Sequence, residues 1–210
     1  MKIWFDILTP KQYLFFEYFV SKLRKQHKIV CTSRKYQQVN DIEKFGSINP
    51  IIVGKHGGKN NLNKLLESLN RSKLLTKKIE KWSPDLLISF CSPEASRVAF
   101  GLGIPHIAFS DSPQATAVMK LSLPYVTKLL IPWIIPKEDF KEFGINYKNI
   151  IKYRAIDAGV IIKNYKKNKQ KKLNKKKIIL IRPEESEAAY ITKKSKTIKI
   201  IKKIVEDFPD

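Results

Sequence analysis

The sequence predicts an α/β fold, a doubly wound, Rossmann-like parallel sheet, and three observations carry that expectation. Short apolar runs alternate with amphipathic stretches from the first residue onward. The segments joining them are short, as connections between parallel strands and their crossover helices are. At 43% hydrophobic and 10% aromatic residues, the 210-residue chain has enough apolar material to bury a real core.

Each element follows from its local pattern. "KIWFDI" reads as a strand, "LTPKQ" as a loop, and Tyr13 to Lys25 as a helix in which Leu14, Phe15, Tyr18, Phe19 and Leu23 share a face. "HKIVCTS" is a second strand, "YQQVNDIEKF" a helix, and "PIIVG" a third strand. The polar loop "GKHGGKN" leads into a long helix from about Leu62 to Trp82. "PDLLISF" is a fourth strand followed by a helix over Pro93 to Leu102, "PHIAF" a fifth followed by a helix from Pro113 to about Leu121, and "KLLIP" a sixth. No internal repeat interrupts the series.

The pattern defines a Rossmann-like domain over 1–160, then a lysine-rich linker over 161–176 that includes "KNYKKNKQKKLNKK". It restarts with "KIILIRPEESEAAY" and the helix-like "ITKKSKTIKIIKKIVEDF". Residues 177–210 are too few to bury a core unaided, so they read as the beginning of a second, incomplete α/β domain.

Bulk properties exclude several functions. The net charge of +22 invites a nucleic-acid reading, but only six basic residues are arginines, and the lysine-rich stretch lacks aromatic interleaving beyond Tyr165. Specific nucleic-acid binding is therefore disfavoured, and a solvated lysine-rich linker is the simpler account. Cys31 and Cys91 lie far apart inside apolar runs, as buried thiols of a reducing compartment do. No stretch has the length and apolarity of a membrane span, since "LSLPYVTKLLIPWIIP" is broken by Lys128 and three prolines. "MKIWFDILTP" places an acid within its apolar run, unlike a secretion signal. These features place the chain in the cytoplasm.

Ligands of doubly wound sheets bind outside the carboxyl ends of the strands. Two similar clusters occupy such ends, "SPE" after the fourth strand and "DSP" after the fifth. Ser92 is a natural N-cap, Pro93 suits the first helical position, and Glu94 suits the positive end of the helix dipole. Ala95, Val98, Ala99 and Leu102 should face the sheet, which points Glu94 and Arg97 away from the core. Arg97 can pair with Glu94 or help hold a phosphate. In the second cluster Ser112 can cap, Pro113 can open the helix, and Asp111 is left at the strand end as a candidate base or a turn-forming acid. Helix-start chemistry and ligand binding both remain open at each cluster.

Two other strand ends add material. After the first strand, "DILTPKQ" supplies Asp6, Thr9, Lys11 and Gln12 near a helix N-terminus, a ready place for an anion. After the third strand, Lys55, His56, Gly57 and Gly58 form a loop whose glycines free the backbone to approach a ligand or move as a lid. His56 lies in a polar setting, whereas His27 and His106 look structural. The chain has no metal-ligand spacing, no G-x-G-x-x-G or Walker pattern and no nucleophile elbow, so no metal and no cofactor is expected. A carboxylate or histidine base, from Glu94, Asp111 or His56, is the remaining chemistry.

In this order, "DILTPKQ", "VGKHGG", "SFCSPEASRVAFGLGIPHI" and "DSPQATAV" resemble an archaeal domain-of-unknown-function family that is glycosyltransferase-like. The likeness covers nearly the whole chain, and Ser92 to Gly103 is its most specific part. The family in turn resembles the two-domain glycosyltransferase B fold, the group of the lipid II N-acetylglucosaminyl transferase and the non-hydrolysing UDP-N-acetylglucosamine epimerase. The resemblance implies an acceptor-side Rossmann-like domain, with catalysis in a cleft shared with a second domain that grips a nucleotide sugar. By position, Lys55 to Gly58, the "SPE" turn and Asp111 would face that cleft. Arg182 and Glu184, in "RPEESEAAY", would sit near the donor. The family pattern has a histidine after "DSP", where this chain has Gln114, which cannot act as a base.

The expectation is thus a metal-independent, glycosyltransferase-like protein using a UDP- or GDP-linked sugar and an unknown acceptor. Most of a donor domain is missing after Asp210, so activity is expected only if a second chain or a continuation completes the cleft. A nucleotide-sugar epimerase is the nearest enzymatic rival. The non-enzymatic rival is a basic module binding nucleic acid or, peripherally, an anionic membrane surface.

Overall fold

The computed structural model describes residues 1–35, 48–164, 181 and 197–207. Two compact units divide the chain, 1–165 and 166–210. In the first unit the strands are β1 (Lys2–Asp6), β2 (Lys28–Lys35), β3 (Ile51–Lys55), β4 (Leu86–Ser89), β5 (His106–Phe109), β6 (Lys128–Pro132) and β7 (Ile150–Tyr153). Its helices are α1 (Pro10–Leu23), α2 (Asn61–Trp82), α3 (Pro93–Gly101), α4 (Thr116–Ser122) and α5 (Asp157–Asn164). Three 3₁₀ segments, Leu123–Tyr125, Lys137–Phe143 and Tyr147–Asn149, lie between α4 and β7. In the second unit one helix is described, α6 (Thr197–Asp207), within the stretch read as helical from the sequence. The helix expected over 36–45 and the strand expected at the start of the second unit lie outside the described residues.

The seven strands among the described residues are all parallel, in the order β3-β2-β1-β4-β5-β6-β7. The winding direction reverses between β1 and β4, which makes the carboxyl ends of these two strands the topological switch point. Both sheet faces are covered, so successive residues of β1 serve different cores. Ile3 and Phe5 pack with α1, while Trp4 packs with α2 and α3.

The α1 face is an aromatic cluster. Phe15 and Phe16 of α1 meet Phe90 and Phe109 with ring centroids 4.9 to 5.7 Å apart, mostly edge-on. Such pairs add about 0.5–1.5 kcal/mol each to the area they bury. The opposite face packs Leu75 and Ile79 of α2 against Ala95, Val98 and Ala99 of α3, and the two alanines let the helices lie close. Near α4, Met119 and Leu123 join Leu129, Ile131, Phe140, Phe143 and Ile150 in a third cluster.

Three expectations are corrected. α1 starts at Pro10 and buries Tyr13, Phe15, Phe16 and Val20, whereas Leu14 and Tyr18 are exposed. The face is rotated because Phe16 enters the aromatic cluster and the Tyr13 hydroxyl bonds both the carbonyl and the amide of Ile48. α4 starts at Thr116, with Ala115 at its N-cap and no side-chain cap bond, so neither Ser112 nor Pro113 opens it. The amide of Ala115 instead bonds the Ser112 carbonyl at 3.1 Å, closing a separate turn after β5. Finally, β7 and α5 go unread in the sequence, because β7 buries only Ile150 well and leaves Ile151 and Lys152 exposed.

Candidate functional site

The switch point is floored by a buried ionic network. Asp6 closes β1 and is fully buried, and its Oδ1 accepts from Arg71 Nη2 at 2.6 Å and from the Thr32 hydroxyl at 2.5 Å. Thr32 accepts in turn from the Trp4 indole at 2.7 Å. Arg71 comes from α2, is 1% exposed, donates through Nε to the Val53 carbonyl at 3.0 Å, and reaches Glu94 Oε2 through Nη1 at 3.3 Å. Burial works against the guanidinium charge, but Asp6 and then Glu94 outweigh it and raise the pKa of Arg71. Gly54 makes room for this arginine: at φ +72° it presents hydrogen where a Cβ would stand 3.1 Å from Arg71 Cβ and Cγ.

This network corrects the orientation expected for Glu94. The side chain is 8% exposed and turns inward to Arg71 instead of outward to Arg97. Arg97 lies over the Tyr125 ring at 5.9 Å. A buried guanidinium outcompetes an exposed i, i+3 partner because the interaction is less screened in the interior. Arg71 gave little sequence signal, being one arginine in a helix of many lysines.

A more open cluster lies at the same edge, on the α1 side of the sheet. Lys11, in the first turn of α1, extends across the end of β4 with its ammonium 5.3 Å from the centre of the Phe90 ring. It forms an ion pair with Asp111 after β5 and another, at 2.8 Å, with Asp157 at the start of α5. Tyr153, the last residue of β7, donates its hydroxyl to Asp157. Side-chain exposure is 41% for Lys11 and 32% for Asp111, against 4% for Asp157. Burial opposes the charge on both Lys11 and Asp111, yet their mutual hydrogen bond and attraction prevail, raising the lysine pKa and lowering that of the aspartate. Burial and then the Asp157 bond push the Tyr153 phenol up.

The remaining candidates divide by position. Ser92 caps α3 as expected, accepting from the Ala95 amide at 3.4 Å. Ser112 donates to Asp111 Oδ1 at 2.9 Å and so steadies the candidate acid. Gln114 is exposed on the turn that follows. Thr9 accepts from the Gln12 amide at 3.4 Å while Gln12 Oε1 accepts from the Leu8 amide at 2.7 Å, so both complete the start of α1. Ser89, bonded to His106 at 2.9 Å, accepts from the Ser92 amide at 3.2 Å, and burial lowers the pKa of His106 to about 3. The thiols of Cys31 and Cys91 are buried, and burial pushes both up to about 12.

The β3 loop stands apart. Strands β2, β1 and β4 separate its root from the end of β5, roughly 19 Å at the usual strand spacing. Lys55 pairs with Glu67 at 3.3 Å, and His56 Nδ1 accepts from the Gly58 amide at 3.0 Å. A Cβ on Gly57 would stand 2.5 Å from Lys64 Cα, so this glycine lets the loop meet the α2 backbone. The structure therefore brings Lys11, Asp111 and Ser112 into contact after β5, places Glu94 and Ser92 after the adjoining β4, and leaves His56, Lys55, Gly57 and Gly58 at the sheet edge. Arg182 and Glu184 lie outside the described residues.

The open cluster can present an anionic carboxylate and a hydroxyl to a ligand's hydroxyl groups. Lys11 already faces two carboxylates, so the local charge suits a polyhydroxylated neutral group better than a bare phosphate.

Known proteins share this architecture. UDP-GlcNAc 2-epimerase from Neisseria meningitidis, solved bound to UDP-GlcNAc, superposes with a TM-score of 0.57 at 17% identity over 72% of this chain and 45% of its own. MurG of Acinetobacter baumannii does so with a TM-score of 0.51 at 11% identity over 72% of this chain and 44% of its own. Both likenesses concern the fold, that of one half of a glycosyltransferase B-like protein. An uncharacterized protein of Methanocaldococcus jannaschii, MJ0665, is 30% identical over 146 residues, 69% of this chain and 42% of that protein. The chain spans less than half the length of each of these relatives. Residues 1–210 match throughout the family described as "Protein of unknown function (DUF354)", and the chain belongs to that family.

Proposed function

We propose that this chain forms the acceptor-side half of a glycosyltransferase-like protein that works with a nucleotide sugar. The observation that carries this reading is the half-exposed Asp111, held by Lys11 and Ser112 beside the switch point, with Glu94 anchored on the adjoining strand end. Proteins of the same fold bind UDP-GlcNAc, which supports a nucleotide sugar as the ligand class.

The two acids take different roles. Lys11 keeps the pKa of Asp111 low, so Asp111 is ionised at neutral pH and is a strong hydrogen-bond acceptor for sugar or acceptor hydroxyls. Glu94, 8% exposed and ion-paired with Arg71, fixes the floor, and the more exposed Asp111 takes the proton of an acceptor hydroxyl as that oxygen attacks the anomeric carbon. The nucleoside diphosphate leaves with the pair of electrons of the broken glycosidic bond. Its negative charge is stabilised outside the Lys11 cluster, in groups a second domain supplies.

Saturation-transfer difference NMR of the chain with UDP- and GDP-linked sugars tests the reading. Transfer to sugar-ring protons, weakened at least about tenfold in Asp111→Asn, is expected. Absence of transfer to every nucleotide sugar and free sugar tried overturns it. Conversion of the donor alone into a different sugar would identify an epimerase.

A further inference from the structure

Four leucines of α2 face away from the sheet that the helix packs on. Arg71, Leu75 and Ile79 form its buried face, whereas Leu62, Leu65, Leu66 and Leu69 are 62%, 56%, 53% and 60% exposed. Their i, i+3, i+4, i+7 spacing gathers them into one stripe about opposite the buried one. The stripe is confined to the first half of the helix, since the outward positions that continue it are Lys73, Thr76 and Glu80. Together the four side chains expose on the order of 300–400 Å², the size of the largest apolar patch on a typical monomer, which is often functional. α2 does not need a cover to stay folded: Asn60 caps it, accepting from the Asn63 amide at 3.1 Å, and Leu75 and Ile79 anchor it.

Charge selects the occupant. Lys64, Lys73 and Lys77 are exposed on the same helix, and the acid among the leucines, Glu67, is half-buried and paired with Lys55 at 3.3 Å. With +22 on each chain, two copies repel one another, while an anionic lipid surface attracts. Among the described residues no helix is long and apolar enough to cross a membrane, so the contact is with the surface. We propose that the first half of α2 docks this protein on anionic membranes. The leucine stripe lies at the boundary of headgroups and acyl chains, and Lys73 and Lys77, on the same side of the helix, lie among the headgroups. This surface stands independently of the sugar-binding reading.

Co-sedimentation of the full chain with vesicles tests it, using phosphatidylcholine alone and phosphatidylcholine with about one-third phosphatidylglycerol, at low and at near-physiological salt. The variant pair Leu65→Ser/Leu69→Ser removes apolar surface from exposed positions, and circular dichroism with the urea midpoint checks its folding. Partition into the anionic vesicles should exceed that into the neutral ones by about tenfold or more. At the higher salt, where the lysines are screened, the double variant should lose a further tenfold or so. Equal binding to both vesicle types overturns the anionic partner. Unchanged binding of the variant overturns the leucine contact, because the lysines alone then account for adhesion. Self-association in sedimentation velocity that the variant abolishes, without lipid binding by the parent, reassigns the face to a second copy and also overturns the proposal.

Discussion

Two clusters near the end of β1 have the same composition, one cation between two carboxylates, and differ in how far water reaches them. Arg71 with Asp6 and Glu94 is sealed, at 1%, 0% and 8% side-chain exposure. Lys11 with Asp111 and Asp157 is open at two of its three members, with 41% and 32% for Lys11 and Asp111. In the sealed cluster each charge depends on the others, since no solvent can replace a lost partner. In the open one, water and ligand hydroxyls compete with the pair, so its geometry can yield to a substrate at small cost. The sealed cluster is a foundation and the open one a contact surface, and the residue type follows: a planar, multiply donating arginine in the first, a flexible lysine in the second.

The largest expected effect comes from breaking the foundation. Arg71→Met leaves two carboxylates buried without their cation and should cost about 3–5 kcal/mol in urea-unfolding free energy. Adding Asp6→Asn and Glu94→Gln should recover part of that loss, and a triple variant as unstable as the single one would refute the electrostatic origin. Gly54→Ala comes next, at about 1–3 kcal/mol, because the new methyl meets Arg71 at a backbone angle that favours glycine. Its near-ultraviolet circular dichroism should also change as Trp4, linked to Arg71 through Thr32 and Asp6, shifts.

The open cluster predicts smaller stability effects and a pH signature. Asp111→Asn should change unfolding free energy by no more than about 1 kcal/mol while weakening ligand transfer strongly, a separation the sealed cluster cannot show. Asp111 has a depressed pKa in the folded state, so its contribution is present above its ordinary value and is lost as the pH falls through the folded one. Lys11 has a raised pKa, so its contribution is present below its ordinary value of 10.5 and is lost as the pH rises through the folded one. Urea midpoints across pH should therefore differ between the parent and Asp111→Asn at neutrality and converge in acid. Smallest of all, Ser112→Ala should cost about 0.5 kcal/mol or less, visible mainly as a modest rise in the Asp111 pKa by carboxylate NMR.

Most strands and the helices anchored by apolar spacing were legible, because a parallel sheet covered on both faces writes its strands as continuous apolar runs. The Ser92 cap was legible for a similar reason, as a small polar residue before proline is a local signal that no distant contact has to supply. The edge strand β7 was not, having half of that burial. "DSP" misled because its residues look like those of "SPE", and only the turn closed by the Ala115 amide tells the two apart.

What the sequence by itself determined is the alternation of strands and helices, hence a doubly wound sheet whose carboxyl edge carries Glu94 and Asp111. Tertiary structure decided which partners those acids meet. Arg71 lies 23 residues from Glu94 and Lys11 lies 100 residues from Asp111. Strand order and crossover packing bring such pairs together, and no local propensity encodes either distance. The same packing decides that one acid rests on a sealed arginine while the other meets water.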